Sequence, residues 1–445
     1  MKEFEPFKSK MEAAGLSGPA VAAFERAYAI LVSGESSLIP ESGIEPATGL
    51  PSYASIAKGV DAAGLLAKTV VIKLNGGLGT GMGLQKAKSL LEIRGGDTFL
   101  DLIAKQVLHL RDQHGAGLRF LLMDSFSTSA DTSAFLAERY PQLGGPEQWE
   151  LMQNRVPKID RETLEPASCE GDPDNEWCPP GHGDLYPSLA GSAWLDQLLD
   201  EGVIYAFVSN SDNLGATLDL DLLSYFAESE APFLMEVTRR TAADRKGGHL
   251  ARSKEGGGLL LRESAQCAEA DADHFQDIER HQFFNTNNLW IRLDLLKAEL
   301  EGCGGVLPLP VIQNSKTVDP RDPSSTPVIQ LETAMGSAIE CFDGAAAIDV
   351  PRSRFAPVKT TDDLLALRSD AYIVTDDFRL ELHPDRASIP PLVKLDPAHF
   401  KMVDQLEAAL VNGVPSLLSC DRLEVTGGHV FAEGDVFEGE ARIGS

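Results

Sequence analysis

Between Asn75 and Lys88 the chain runs Asn-Gly-Gly-Leu-Gly-Thr-Gly-Met-Gly-Leu-Gln-Lys-Ala-Lys, with five glycines and two lysines in fourteen residues. Glycine admits positive φ angles and close backbone approach, so successive N–H groups can converge on an anion. The lysines add mobile positive charge. Such a segment points to a nucleotide as ligand; the plain alternative is a glycine-rich connection that binds nothing. Two common phosphate loops are excluded by spacing. The dinucleotide fingerprint needs Gly at i, i+2 and i+5, and the i+5 place falls on Met82, Leu84 or Lys86 when counted from Gly77, Gly79 or Gly81. No Gly-Lys pair followed by Ser or Thr closes the segment, so the ATPase loop is absent too.

Something must hold this loop in place. Val70, Val71, Ile72 and Leu74 make Thr69 to Leu74 a short apolar run that reads as a buried strand. Phe99, Ile103, Val107 and Leu110 lie on one helical face, and a strand follows over Arg119 to Met123, completing a βαβ unit. A helix around Trp194, Leu195, Leu198 and Leu199 precedes a strand over Val203 to Val208, which runs into Ser209-Asn-Ser-Asp-Asn213. Ligands of open sheets sit beyond the carboxyl ends of strands, where Asp212 and the glycine loop both fall. Upstream, Val21, Phe24, Tyr28 and Leu31 predict a helix ending near Gly34. Downstream, Val425, Phe431, Phe437 and Ile443 recur every six residues, with Gly428 and Gly434 also six apart. That period predicts short β-helix coils, with one extended hairpin as the alternative.

At 445 residues the chain exceeds what one core usually supports, and 43% hydrophobic content suffices to fill two or three units. A formal charge of −28, from 39 basic and 67 acidic residues, argues against nucleic acid or an anionic membrane as partner. Small anions are not excluded, because charges are screened over ~8 Å and a few local lysines decide what a phosphate feels. Cys169, Cys178, Cys267, Cys303, Cys341 and Cys420 show no C-x-x-C spacing and read as reduced thiols. Glu25 and Arg26 interrupt the apolar stretch from Val21 to Val32, and no uninterrupted span is long enough to cross a bilayer. A cytoplasmic protein is expected.

Several segments taken together resemble the eukaryotic-type UDP-glucose pyrophosphorylase family (UTP:glucose-1-phosphate uridylyltransferases). They are Leu74 to Thr80 with Lys88-Ser89, Trp177-Cys-Pro-Pro-Gly-His-Gly-Asp184, Phe207 to Thr217, Lys246-Gly-Gly248, Phe284-Asn-Thr-Asn-Asn-Leu-Trp290, Gln330 to Ala334, and Val350 to Asp362. Their combination in this order carries the resemblance, over nearly the whole chain after about residue 40. Some positions depart from the family's pattern. Gly81 stands where it usually has Ser, Gln85-Lys86-Ala87 where it has Lys-Gly-Pro, and Cys178 where an aromatic residue is common; the tail is shorter. A looser loop is implied.

The resemblance implies an α/β fold: a Rossmann-like, GT-A-like nucleotidyltransferase mixed sheet with a helical N-terminal arm and a short C-terminal left-handed β-helix. The corresponding domains are 1–60, 61–385 and 386–445. It implies attack by glucose 1-phosphate on the α-phosphorus of UTP, giving UDP-glucose and pyrophosphate. A sugar phosphate is already ionised at neutral pH, so the site must gather and align anions rather than supply a general base. By the same resemblance Lys88 and Lys359 grip the reacting phosphates, and Asp212 is the ligand of Mg²⁺, which ordinarily takes one or two carboxylates plus phosphates and water. Gly76, Gly77, Gly79, Thr80, Gln153, Gly181 and His182 would bind the nucleotide. Asn213, Lys246, Glu263, Asn288 and Glu332 would bind the sugar. An oligomer through the C-terminal tail is a further implication. The rival functions are a pyrophosphorylase for another hexose or an N-acetylhexosamine phosphate, and a non-catalytic nucleotide-sugar sensor; joint presence of Lys88, Lys359 and Asp212 speaks against the sensor.

Overall fold

Thr69–Leu74 forms a strand whose first five residues are all buried, as its β-branched run predicts. The computed structural model describes residues 2–59, 61–115, 117–241, 244–386 and 389–444; the bounds at 1, 60 and 445 given above lie outside them. Two compact units emerge, each built from separated pieces of chain. The first comprises Met1–Ile72, Leu151–Val208 and Leu220–Val350; the second comprises Lys73–Glu150, Ser209–Asp219 and Pro351–Ser445.

In the first unit a mixed sheet is organised around Phe283–Arg292. This strand pairs antiparallel with Tyr205 to Val208 and with Phe233–Arg239, and Phe233–Arg239 in turn pairs parallel with Ala346–Asp349. A bulge sets Glu236 opposite Asn288 and Val237 opposite Asn285, and Asn287 within it has φ +59°. Bulges of this kind re-aim side chains. His249–Ser253 extends the sheet, with Leu259–Arg262 and Ile44–Pro46 antiparallel to it. The expected strand at Val203 begins two residues later, at Tyr205. Val203 is committed to ending the preceding helix: its N–H donates to Leu198 O across Gly202 at φ +82°.

The N-terminal helix Gly18–Ser33 starts on Ser17, whose hydroxyl accepts from Ala20 N, and stops at Gly34 in the left-handed conformation. Its apolar stripe of Val21, Phe24, Ala27 and Tyr28 packs with Phe4, Phe7 and Met11 onto Val156, Ile159, Val311 and Leu331. This arm is therefore part of the first unit's core.

The second unit contains helix Phe99–His114, opened by a capping box between Thr98 and Asp101, and strand Arg119–Asp124. At its C-terminal end Leu392–Leu395, Ser416–Val425 and Val436–Ile443 pair in parallel, with Val425 opposite Ile443. Parallel pairing rules out the hairpin alternative. One apolar cluster collects Met82 from the glycine loop, Leu214, Val358, Leu364 and Leu365, together with Val425 and Phe431; Phe437 and Ile443 pack against it. Three distant stretches of sequence thus share one core.

Candidate active site

The glycine loop begins at a buried anchor. Asn75 N donates to Met123 O, and its amide donates to Asp124 Oδ1 at 2.7 Å and to Thr132 Oγ1 at 3.0 Å. Ser125 then donates its hydroxyl to Gly76 O at 2.9 Å. Burial raises the Asp124 carboxyl to about 7, against the donors Asn75, Thr132 and Thr128 that favour its ionised form. A raised carboxyl pKa means that the folded state holds the proton more tightly than the unfolded chain. The stability this supplies is complete below pH ~4 and is lost as pH rises towards about 7. Asp124→Asn should therefore flatten the profile relative to wild type by up to about 1.4 kcal/mol per pH unit over that window. Denaturant midpoints measured from pH 4 to 8 will check this; parallel profiles would refute it.

Past the anchor the loop doubles back. Gly79 has φ +66°, and a Cβ there would come within 2.9 Å of Leu84 Cδ1 and 3.3 Å of Lys88 Cγ. Lys88 N donates to Gly77 O at 3.0 Å. Gly79 is thus needed for both its backbone angle and the lysine stem lying against it. Thr80 is exposed and opens a single 3-10 turn ending at Met82, whose side chain enters the core.

Lys88 Nζ reaches Asp212 Oδ2 at 2.6 Å, with 14% and 23% of the two side chains exposed. Asp212 is held through its backbone: Ser211 N donates to Leu74 O, and Val358 N donates to Asp212 O at 3.1 Å. That last bond sets Lys359 one residue from a direct backbone contact with Asp212. Lys359 is exposed, and its own N–H donates to Asp363 Oδ2 at the start of helix Thr361–Arg368. Asn213 is 2% exposed; its Oδ1 accepts from Gly215 N and Ala356 N, and its Nδ2 donates to Arg354 O. It staples residues 354–356 to the Asp212 loop. Gly76, Gly77, Gly79, Thr80, Lys88, Asp212, Asn213 and Lys359 therefore belong together in the second unit.

The remaining predicted residues fall in the first unit, in two groups. Gln153 donates its amide to Gly181 O at 3.1 Å. His182 Nδ1 accepts from Met335 N at 2.9 Å, which fixes the neutral tautomer with Nε2–H as donor, and burial lowers its imidazole to about 4. Asp184 holds the neighbouring Asn154 by both backbone and amide; burial pushes its carboxyl up to about 7. Glu332 is half-buried on the strand Pro327–Thr333 that passes Gly181. Gly181 has φ +81°, and a Cβ on it would meet Thr333 O at 2.5 Å, Thr333 N at 2.9 Å and Glu332 Cβ at 3.1 Å. Left-handed backbone costs a side-chain-bearing residue roughly 1–2 kcal/mol, and forced overpacking typically ~1–3 kcal/mol more. Gly181→Ala should lower the melting temperature by several degrees and raise KM for the nucleotide more than it lowers turnover. Unchanged melting and KM would show that this close approach is not needed.

The second group lies on the mixed sheet. Asn288 is fully buried, and its amide donates to Glu236 Oε2 at 3.0 Å, while Trp290 Nε1 donates to Glu236 Oε1 at 2.9 Å. Gly247 and Gly248 let the chain after exposed Lys246 pass tightly: Cβ atoms there would lie 2.1 Å from Phe284 Cε2 and 2.4 Å from Glu263 Oε2. Glu263 is half-buried and caps a 3-10 turn with Gln266. The segment Met335-Gly336 links the groups, since Met335 N bonds His182 and a Cβ on Gly336 would meet Asn285 Nδ2 at 2.8 Å.

Sequence reading missed Glu236 and Lys73, both buried in apolar strands. The available signal was a single charge inside each run, in Phe-Leu-Met-Glu-Val and in Val-Ile-Lys-Leu. Among the described residues no three His, Cys, Asp or Glu side chains form a ready-made metal cage. No described helix is long and apolar enough to cross a membrane, and all six cysteines are free thiols.

A family model described as UTP–glucose-1-phosphate uridylyltransferase matches residues 21–437. The UTP–glucose-1-phosphate uridylyltransferase of Musa acuminata is 42% identical over 380 residues, covering 85% of this chain and 79% of that protein. The Saccharomyces cerevisiae enzyme of the same name is 43% identical over 372 residues, 83% of this chain and 72% of that one. A crystal structure of a UDP-glucose pyrophosphorylase variant from Leishmania major in complex with UDP-glucose superposes with a TM-score of 0.94 at 51% identity, covering 99% of this chain and 94% of that one.

Proposed function

The chain belongs to the UTP–glucose-1-phosphate uridylyltransferase family, and from that premise we propose how its residues carry the reaction. It transfers uridylyl from UTP to glucose 1-phosphate, giving UDP-glucose and pyrophosphate. In our reading this is a reversible, direct in-line displacement: a glucose 1-phosphate oxygen forms the new bond to the α-phosphorus as the bond to the pyrophosphate oxygen breaks, with no net proton transfer. The observation that carries the reading is the Lys88–Asp212 pair, 2.6 Å apart, at the end of a glycine loop.

Roles divide by unit. In the second, the amides around Gly76, Gly77, Gly79 and Thr80 receive the nucleotide, and Lys88 and Lys359 neutralise the reacting phosphates. Charge stabilisation by fixed donors is the main resource such a site has. In the first, Gln153 bonded to Gly181 forms a polar group of the kind that suits a nucleotide, and neutral His182 has Nε2–H as a donor. Lys246, Glu263 and Glu332 have accessible side chains suited to sugar hydroxyls, while buried Asn288 here, like Asn213 in the second unit, holds its surroundings.

Mg²⁺ fits the donor set. Asp212 is a partly exposed carboxylate beside a phosphate loop, and Mg²⁺ usually completes its octahedron with phosphate oxygens and water rather than a protein cage. When bound it would spread the triphosphate's charge and help the leaving group depart. Asp212 orients that position, and Lys88 shares its carboxylate.

Parallel pairing and the six-residue spacing support reading the C-terminal strands as a short left-handed β-helix, and the mixed sheet with flanking helices supports a GT-A-like class. Val436–Ile443 pairs only with Ser416–Val425 among the described strands, so its outer edge is where an oligomer would add. Free thiols favour the cytoplasm. The deciding experiment is incubation with UTP, Mg²⁺ and a panel of sugar 1-phosphates while pyrophosphate is monitored. Release with glucose 1-phosphate at the highest kcat/KM is expected; no release with it would overturn the function.

A further inference from the structure

Lys73 stands at the last buried position of strand Thr69–Leu74, two residues before Asn75 opens the glycine loop, and the residue is 3% exposed. A lysine is rarely so buried unless its ammonium is well supplied with acceptors. Here Nζ donates to Ser209 Oγ at 2.8 Å and to Ala216 O. Ser209 and Ala216 are the two shoulders of the loop that carries Asp212 between them. From the same strand, Leu74 O accepts from Ser211 N. One side chain and one carbonyl, adjacent in sequence, thus tie both ends and the rising limb of the Asp212 loop to the strand that launches the phosphate loop.

We infer that Lys73 is a positioning residue for the uridylyl transfer: it sets where Asp212, and through it Lys88, stand relative to the glycine loop. This rests on the function proposed above. Lys73 touches neither substrate; it acts through the loop. Hydrogen bonds to charged groups contribute about 1.5–3 kcal/mol, roughly ten- to a hundredfold in an equilibrium or a rate. Loss of the ammonium should therefore appear in turnover rather than in nucleotide affinity, because the glycine-loop amides that receive the nucleotide keep their own anchors at Asn75 and Ser125.

The test is a kinetic cycle with Lys73→Met, Asp212→Asn and the double variant. Lys73→Met should lower kcat about tenfold or more with KM for UTP within about threefold of wild type, and should shift the Mg²⁺ concentration needed for half-maximal rate upward. In the Asp212→Asn background the same change should cost little further, because both act through one group. A multiplicative double variant, or a single variant with unchanged kcat, overturns the assignment. Should Lys73→Met fail to fold, Ser209→Ala in the same cycle carries the test, with a smaller loss in the same direction expected and a purely multiplicative one overturning it. Wild type, assayed alongside, separates the two levels: an active wild type with unaffected variants removes only the role of Lys73, whereas an inactive wild type removes the reaction beneath it.

Discussion

Lys88→Ala is expected to lower turnover by on the order of 10²-fold or more, while leaving the fold intact. The lysine is placed by its main chain, through the bond from its N–H to Gly77 O and the 3-10 turn Lys88–Leu90, and alanine keeps both. What changes is charge. In the folded protein the ammonium lies 2.6 Å from Asp212 Oδ2, so the pair presents roughly zero net charge to an arriving polyanion. Removing the lysine bares the carboxylate. Two like charges at 4 Å repel by ~4 kcal/mol at an effective dielectric of 20, so the variant turns a neutral spot into a repulsive one. As a partly exposed ion pair it adds only about 0–1 kcal/mol to folding, and the melting temperature should move by a few degrees at most. Steady-state kinetics with UTP and glucose 1-phosphate, beside a melting curve, will check both halves. Turnover within a few-fold of wild type would remove Lys88 from the reaction.

Asp212→Asn should lower turnover by a comparable factor, on the order of 10²-fold, and raise the Mg²⁺ concentration needed for half-maximal rate. The substitution is nearly isosteric. It preserves the backbone bonds from Val358 N to residue 212 and from Ser211 N to Leu74 O, so the loop has no steric reason to move. A neutral amide, however, is a poor Mg²⁺ ligand beside a carboxylate, and it leaves the Lys88 ammonium without its counter-charge. Calorimetric titration of Mg²⁺ in the presence of UDP-glucose gives a readout independent of turnover, and weaker binding by the variant is expected. If rate and Mg²⁺ dependence both survive, Asp212 is a turn residue that only holds the loop.

The glycine loop and its strand were legible because their signals are local: a β-branched run, then glycines where the backbone must reach positive φ. Lys88 and Asp212 were legible through motif context. Their pairing was not, since no periodicity relates residue 88 to residue 212. The same distance hid the stitch between Asp212 and Val358. Asn213 shows a different limit. An Asn at a strand end reads equally well as a ligand contact or as a clamp on main chain, and this side chain bonds the main chain of Gly215, Arg354 and Ala356. Glu236 and Lys73 escaped because hydrophobic patterning treats one charge in a buried strand as noise. The bulge that presents Asn285 to Asn288 depends on cross-strand register, which a single strand's sequence does not contain.

The scattered make-up of the second unit governs when activity can arise during synthesis. Its core joins Met82 to Leu214 and Val358, contacts so far apart in sequence that closing them is slow and late. A nascent chain released before Val358 has left the ribosome would hold the phosphate loop and Asp212 without the strap that seats them. The Asp212 loop and the strap that seats it are thus among the last parts of the molecule to be finished, and a prematurely ended chain should be inert rather than partly active.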